Sequence, residues 1–172
     1  MQRKIDSHSP PLDKTRKNMY NYSYSCIERG MYMTIRLLKE EDFPQLLALW
    51  TATPGMGLNS ADDSPEGIRQ YLRRNPDTCF AAEAEGRIVG AILAGHDGRR
   101  GFLYHLAVGE SQRLQGIGRA LVRSALAALK AQGIRKAALV AFRNNRLGNN
   151  FWKSIGFSLR EDLNYWNIPL DE

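Results

Sequence analysis

Arg113, Gly116, Gly118 and Arg119 follow closely on the apolar run Leu106-Ala107-Val108, and together they form a basic, glycine-spaced turn between a strand and a helix. Such a turn is suited to holding phosphate. The first turn of a helix leaves backbone N–H groups without partners and carries the positive end of the dipole, so an anion can sit there with several donors aimed at it. Gly116 and Gly118 carry no Cβ, which lets that backbone come close to the anion, while Leu114, Gln115 and Ile117 complete the turn. Cations around a helix start oppose the macrodipole at a cost of roughly 0.3–1 kcal/mol each. A bound phosphate reverses the sign of that cost. An ordinary strand-to-helix connection is the plain alternative.

Two nucleotide-binding turns fail on the same letters. The dinucleotide fingerprint wants a third glycine three residues after the second and an acid about 20 residues on, where this chain has Leu121 and basic or apolar residues near Lys136. A Walker loop, with four spacer residues before Gly-Lys and Ser or Thr, does not occur. The pattern that remains, Arg113-x-x-Gly116-x-Gly118 after Leu106-Ala107-Val108, resembles the acyl-coenzyme A site of the GNAT superfamily of N-acetyltransferases. A second stretch, from Asn144-Asn145 through Phe151-Trp152 to Gly156-Phe157, resembles that family's asparagine, short helix, aromatic residue and Gly-Phe. The resemblance covers about 33–169.

The resemblance implies acetyl-CoA as cosubstrate and an amine acceptor on a small molecule, peptide or protein. It places the pantetheine arm along Leu106, Ala107 and Val108 and the pyrophosphate on the N–H groups of residues 113–118, with Arg119, Asn145 and Trp152 also at the cofactor. It implies direct attack by the amine, without an enzyme nucleophile. The family's usual acid is a tyrosine seven residues after the motif asparagine, and counting from Asn145 gives Trp152. Indole N–H donates a hydrogen bond but is no acid near neutral pH, so Trp152 is expected to pack against the cofactor arm instead.

For a general base the central strand offers Tyr104 and His105, which alternation puts on opposite faces. The resemblance turns the face of residues 102, 104 and 106 toward the acceptor and favours Tyr104, whereas histidine is the residue type that titrates near neutrality. Asp62 and Asp63, at the tip of a long loop, are candidates to bind a cationic amine, or else they favour the start of the following helix. Two rival functions stay open: a catalytically silent acyl-CoA binding module, and a basic protein associated with nucleic acid.

The elements that hold these residues can be read from periodicity and punctuation. A strand is expected over 33–38, then acids at 40–42 before a helix over 43–50, a long polar loop over 51–64, and a helix over 65–74 with Ser64 as N-cap. Strands over 78–85 and 87–94 meet at a hairpin turn at 84–87, and the central strand spans 101–108. The next helix puts Ile117, Leu121, Ala125, Ala128 and Leu129 on one face and stops at Gly133. A strand over 136–142, a short helix reaching 151–154 and closing strands over 156–160 and 164–169 follow. Residues and resemblance agree on an α/β fold: a mixed, twisted sheet of about seven strands with helices on both faces. The polar leader 1–32, with Pro10-Pro11, reads as a flexible extension, and 33–172 as the transferase domain, with Met31 and Met33 as alternative starts.

Composition narrows the classes further. The chain has 172 residues, 43% hydrophobic and 24% charged, which suits one soluble globular domain. It holds neither an uninterrupted apolar run of eighteen residues nor the apolar stretch of a secretory signal, so a cytoplasmic location without membrane attachment is expected. Cys26 and Cys79 lack metal-ligand spacing and read as reduced thiols, and His8, His96 and His105 are too scattered for zinc, so no metal is expected. Half of the net charge of +6 sits in the leader, where Arg3, Lys4, Lys14, Arg16, Lys17 and Arg29 outnumber Asp6, Asp13 and Glu28. The rest fits a site for a polyanionic cofactor, which weighs against nucleic acid. Oligomeric state, a homodimer included, stays open.

Overall fold

The computed structural model describes residues 22–26 and 31–170. Six strands form one sheet in sequence order: β1 (Tyr22–Cys26), β2 (Met31–Leu37), β3 (Phe80–Ala84), β4 (Arg87–His96), β5 (Gly101–Val108) and β6 (Ala137–Ala138). All neighbours are antiparallel except β5 and β6, which run parallel. The helices are α1 (Phe43–Thr51), α2 (Pro65–Arg74), α3 (Ile117–Ala131) and α4 (Arg146–Ser154).

The two apolar periods sort the core onto the two faces of the sheet. Ile117, Leu121, Ala125, Ala128 and Leu129, the predicted stripe of α3, are all buried against Ile35, Phe80, Ile92 and Leu103. Leu46, Leu49 and Trp50 of α1 and Ile68 and Leu72 of α2 cover the opposite face over Ala81, Ala91, Leu93 and Ala107. Ser64 caps α2 as expected, its hydroxyl accepting from the Gly67 N–H at 3.0 Å. The β3–β4 hairpin turns through Glu85 and Gly86, both at positive φ, which matches the right-handed twist of the flanking strands.

The acids ahead of α1 do more than face a helix dipole. Asp42, 5% exposed, accepts from both terminal nitrogens of Arg36, at 2.7 and 2.8 Å, and from the Lys39 N–H at 2.9 Å. Arg36 Nε also donates to Glu83 at 2.6 Å, so one guanidinium joins β2, β3 and the entry to α1. Arg36→Leu leaves a buried carboxylate without its cation. Removing one partner of a buried pair costs about 3–5 kcal/mol, and the partial exposure of Arg36 lowers the expectation to about 2–3 kcal/mol. Thermal unfolding should show the midpoint falling by roughly 5–10 °C.

Three parts of the sheet differ from the sequence expectation. Tyr22–Cys26, inside the stretch read as a flexible extension, is an edge strand paired with β2 from Tyr22↔Ile35 to Cys26↔Met31. Its alternation of Tyr with Ser suits a pleated edge, a local signal outweighed by the polar character of the leader around it. Residues 1–21 and 27–30 lie outside the described residues, and Met31 and Tyr32 open β2. The strand expected over 136–142 pairs only at Gly101↔Ala137 and Phe102↔Ala138. The closing strands expected over 156–160 and 164–169 do not join the sheet, and Leu159, Trp166 and Leu170 are 79%, 87% and 92% exposed. Among the described residues the sheet therefore has six strands rather than about seven. Strand-like alternation reports a residue's suitability for a pleated surface, whereas pairing needs a neighbour with a free edge in reach.

Candidate active site

β5 carries a β-bulge where it pairs with β4. Ala91 pairs with Ala107 and Leu93 with Tyr104, so Ile92 faces two residues, His105 and Leu106. His105 takes φ +49 there, a left-handed conformation uncommon for a side chain with a Cβ. Backbone strain of this kind costs about 1–3 kcal/mol and concentrates at functional positions. The bulge also changes which way side chains point. Tyr104 stacks on Phe102 at 4.7 Å between centroids and meets the edge of Tyr71 on α2, while His105 lies 4.9 Å from Trp50 on α1. Tyr104 and His105 thus share the α1–α2 face, contrary to the alternation expected from sequence, and Leu106 and Val108 turn to the α3 side.

His105 is held by an acid. Its Nε2 lies 2.5 Å from Oδ1 of Asp63, and Asp63 Oδ2 accepts from the Asn59 N–H at 2.7 Å. Asp63 is 8% exposed, whereas its neighbour Asp62 is open to solvent. Both carboxylate oxygens of Asp63 are therefore engaged within the fold, whereas Asp62 faces solvent. Gly67 makes the arrangement fit, because a Cβ at that position in α2 would run into the carbonyl of Asp62. The aromatic wall around the pair carries polar atoms of its own. Trp50 Nε1 and the Tyr71 hydroxyl are buried without a partner among the described residues. Burial pushes the phenols of Tyr71 and Tyr104 up from their ordinary value, which favours the protonated form of both.

The sheet opens next to this wall. The β5–β6 ladder ends at Phe102↔Ala138, while β5 runs on to Val108. The chain after β6 diverges, with Leu139 on the α3-side core and Phe142 exposed. The long loop between α1 and α2 reaches across: a Cβ on Gly57 would come within 2.7 Å of the Phe142 ring, and one on Gly55 within 3.5 Å of Asn145 Nδ2. A strand edge that stays unpaired beyond Phe102 on this side, flanked by a loop and an aromatic wall, is suited to an extended ligand.

At the end of β5 the Gly109 N–H donates to Val89 at 2.8 Å and closes the ladder, and a 3-10 turn, Glu110–Gln112, leads into the basic turn. The Arg113 N–H is engaged by the Glu110 carbonyl at 3.3 Å and its Nε by the Val108 carbonyl at 3.3 Å. Leu114, at φ +63, projects wholly into solvent, and Gly116, at φ +80, meets nothing within 4 Å of where a Cβ would stand. Ile117, Gly118 and Arg119 form the first turn of α3, whose N–H groups have no carbonyl four residues back within the helix. Gly118 lies against β5 and α4: its Cβ would stand 3.4 Å from the Phe151 ring and 3.7 Å from Val108 Cγ2. These residues fit a diphosphate, with backbone donors, two flanking arginines and open space at the bend.

Asn145 and Trp152 are both placed by α4. Asn145 caps α4, its Oδ1 accepting from the Gly148 N–H at 2.9 Å. Trp152 is half-buried, edge to face with Phe151 and Phe157 at 5.2 Å each. Sequence reasoning missed Trp50, Tyr71 and Phe151 as neighbours of the candidate residues. Only Gly67, a glycine inside a helix, hinted that a backbone approaches closely there.

Cys79 is no nucleophile. It is 1% exposed, donates to the Ala94 carbonyl at 3.3 Å, and burial pushes its thiol up to about 12. In a Cys26→Ser background, iodoacetamide at pH 7.5 should leave Cys79 unmodified until the protein unfolds, as read by intact-mass spectrometry.

Comparison with known proteins gives a consistent result. The model of the acetyltransferase (GNAT) family matches residues 43–157. Acetyltransferase plu1384 of Photorhabdus laumondii is 34% identical over 113 residues, covering 66% of this chain and 78% of the relative. Acetyltransferase SG1711 of Sodalis glossinidius is 29% identical over 131 residues, covering 76% and 91%. Among solved structures, the aminoglycoside acetyltransferase meta-AAC0020 from an uncultured soil metagenomic sample superposes with a TM-score of 0.65 at 25% identity, over 81% of this chain and 97% of that one. The PaiA N-acetyltransferase of Thermoplasma acidophilum, in complex with coenzyme A, gives 0.66 at 21% identity over 74% and 91%. No helix among the described residues is long and apolar enough to cross a membrane.

Proposed function

The chain belongs to the GNAT acetyltransferase family, and we propose that it moves acetyl from acetyl-CoA to a primary amine by direct attack while both substrates are bound. The coenzyme A diphosphate lies on the basic turn at residues 113–118 and the start of α3, flanked by Arg113 and Arg119, and the pantetheine arm runs beside Leu106, Ala107 and Val108. The acceptor approaches from the α1–α2 face, past Asp62. The observation that carries this reading is the pair His105–Asp63 at the bulge, 2.5 Å apart, on the face where the sheet opens.

An amine with a lysine-like pKa of about 10.4 arrives as an ammonium ion, and deprotonating it near pH 7.4 accounts for about 4 kcal/mol of the barrier. His105 takes that proton. The freed lone pair attacks the thioester carbonyl carbon, a C–N bond forms, and the C–S bond breaks to release the thiolate. The nitrogen sheds its second proton as the amide forms, which balances the one the thiolate needs; the neutral phenol of Tyr104 is a donor on the same face. The domain that does this spans 33–172, with Tyr22–Cys26 as an added edge strand, and works in the cytoplasm.

The test is thiol release from acetyl-CoA across a mixed library of primary amines, with the acetylated product identified by mass. Turnover of at least one amine is expected. Tight coenzyme A binding with no turnover across the library would replace the transferase by a silent acyl-CoA binding module.

A further inference from the structure

We infer that Asp63 is a positioning residue for His105: it fixes the tautomer of the imidazole so that Nδ1, not Nε2, takes the amine proton. The inference rests on the proposed amine acetylation and adds to it the atom that acts and the group that orients it.

An ionised carboxylate only accepts hydrogen bonds, so the short contact at Asp63 Oδ1 requires Nε2 to carry the hydrogen. The neutral ring then has its lone pair on Nδ1. Among the described residues no group bonds that atom, and the side chain keeps 17% of its surface exposed. The carboxylate is itself locked. Asn59 N–H holds Oδ2, Asn59 Oδ1 accepts from the Ala61 and Asp62 N–H groups, and the absent Cβ of Gly67 lets this turn settle on α2. Trp50 limits rotation of the ring from the α1 side. When Nδ1 gains its proton, the charge that forms on the imidazole is met by the carboxylate at once, without reorganisation of either side chain. A fixed tautomer and a fixed counter-charge are what a general base on a strained backbone position requires. Burial alone asks that both oxygens of a carboxylate be engaged; what points to positioning is that one of the two partners is the imidazole at the strained bulge.

The experiment compares Asp63→Asn and Asp63→Glu with the wild type. Asp63→Asn keeps the volume but can donate from its amide, which favours the opposite tautomer. Its kcat should fall by about 10²–10⁴-fold, the range for general-base catalysis, with KM for amine and acetyl-CoA changed by less than about threefold. Nitrogen-15 NMR of His105 should show the Nε2–H tautomer in the wild type and a shift toward Nδ1–H in Asp63→Asn. Asp63→Glu, which restores the acceptor, should recover part of the rate. A folded Asp63→Asn protein with unchanged kcat, or wild-type spectra showing the Nδ1–H tautomer, would overturn the inference while leaving the acetylation standing. Absence of turnover in the wild type, with the Nε2–H tautomer still present, would remove the acetylation reading and with it the proton transfer to Nδ1, leaving only the tautomer that Asp63 fixes.

Discussion

His105→Gln is expected to lower kcat by about 10²–10⁴-fold while leaving coenzyme A affinity near that of the wild type. Glutamine reaches about as far as histidine and its amide N–H can still donate to Asp63, so the contact that seats residue 105 beneath Trp50 is retained. What it cannot do is accept a proton. The ammonium must then give its proton to water, and the part of the barrier that a positioned base removes returns. The choice of acceptor sharpens the test: a weakly basic amine, already neutral at the assay pH, should lose less rate than an alkylamine. If both lose equally, or if the midpoint of thermal unfolding falls in step with the rate, residue 105 is structural. His105→Ala is a poorer probe, because it opens a void under Trp50 and mixes packing with chemistry.

The contrast between what periodicity reveals and what it hides is visible in β5. The apolar run, the turn after it and the stripe of α3 follow from local signals, and each is where those signals place it. The bulge is different. It exists because two residues of β5 oppose one of β4, a relation between strands that a period of two along one strand cannot express. Tyr104 and His105 were therefore assigned to opposite faces. The partner of His105 is hidden for a related reason: Asp63 lies 42 residues away and reaches the ring through a turn that folds back on α2. From sequence, Asp62 and Asp63 look equivalent, and only folding makes one a solvated charge and the other a buried acceptor. The residues after α4 show the reverse error, in which strand-like alternation is present but no sheet edge receives it.

Gly118→Asp should weaken coenzyme A binding by more than a hundredfold. The position is the first turn of α3, where the donors of the basic turn converge and the backbone lies against Phe151 and Val108. An added carboxylate about 5 Å from a phosphate charge repels it by about 3 kcal/mol at an effective dielectric constant near 20, which is a factor of a hundred or more in affinity. The same carboxylate stabilises the isolated helix start by roughly 0.3–1 kcal/mol, so the folded protein need not suffer. Binding and stability are thereby expected to move in opposite directions, a signature that simple misfolding cannot give. Gly118→Ala separates charge from bulk: its Cβ would sit in ordinary contact with Phe151, and it should cost far less affinity. Arg113→Ala should fall between the two, since it removes one cation among several donors. Calorimetry at rising salt completes the argument, because screening should shrink the Gly118→Asp defect more than the Gly118→Ala defect. Equal coenzyme A affinity in Gly118→Asp and wild type would move the diphosphate away from α3 and, with it, the direction from which the thioester meets His105.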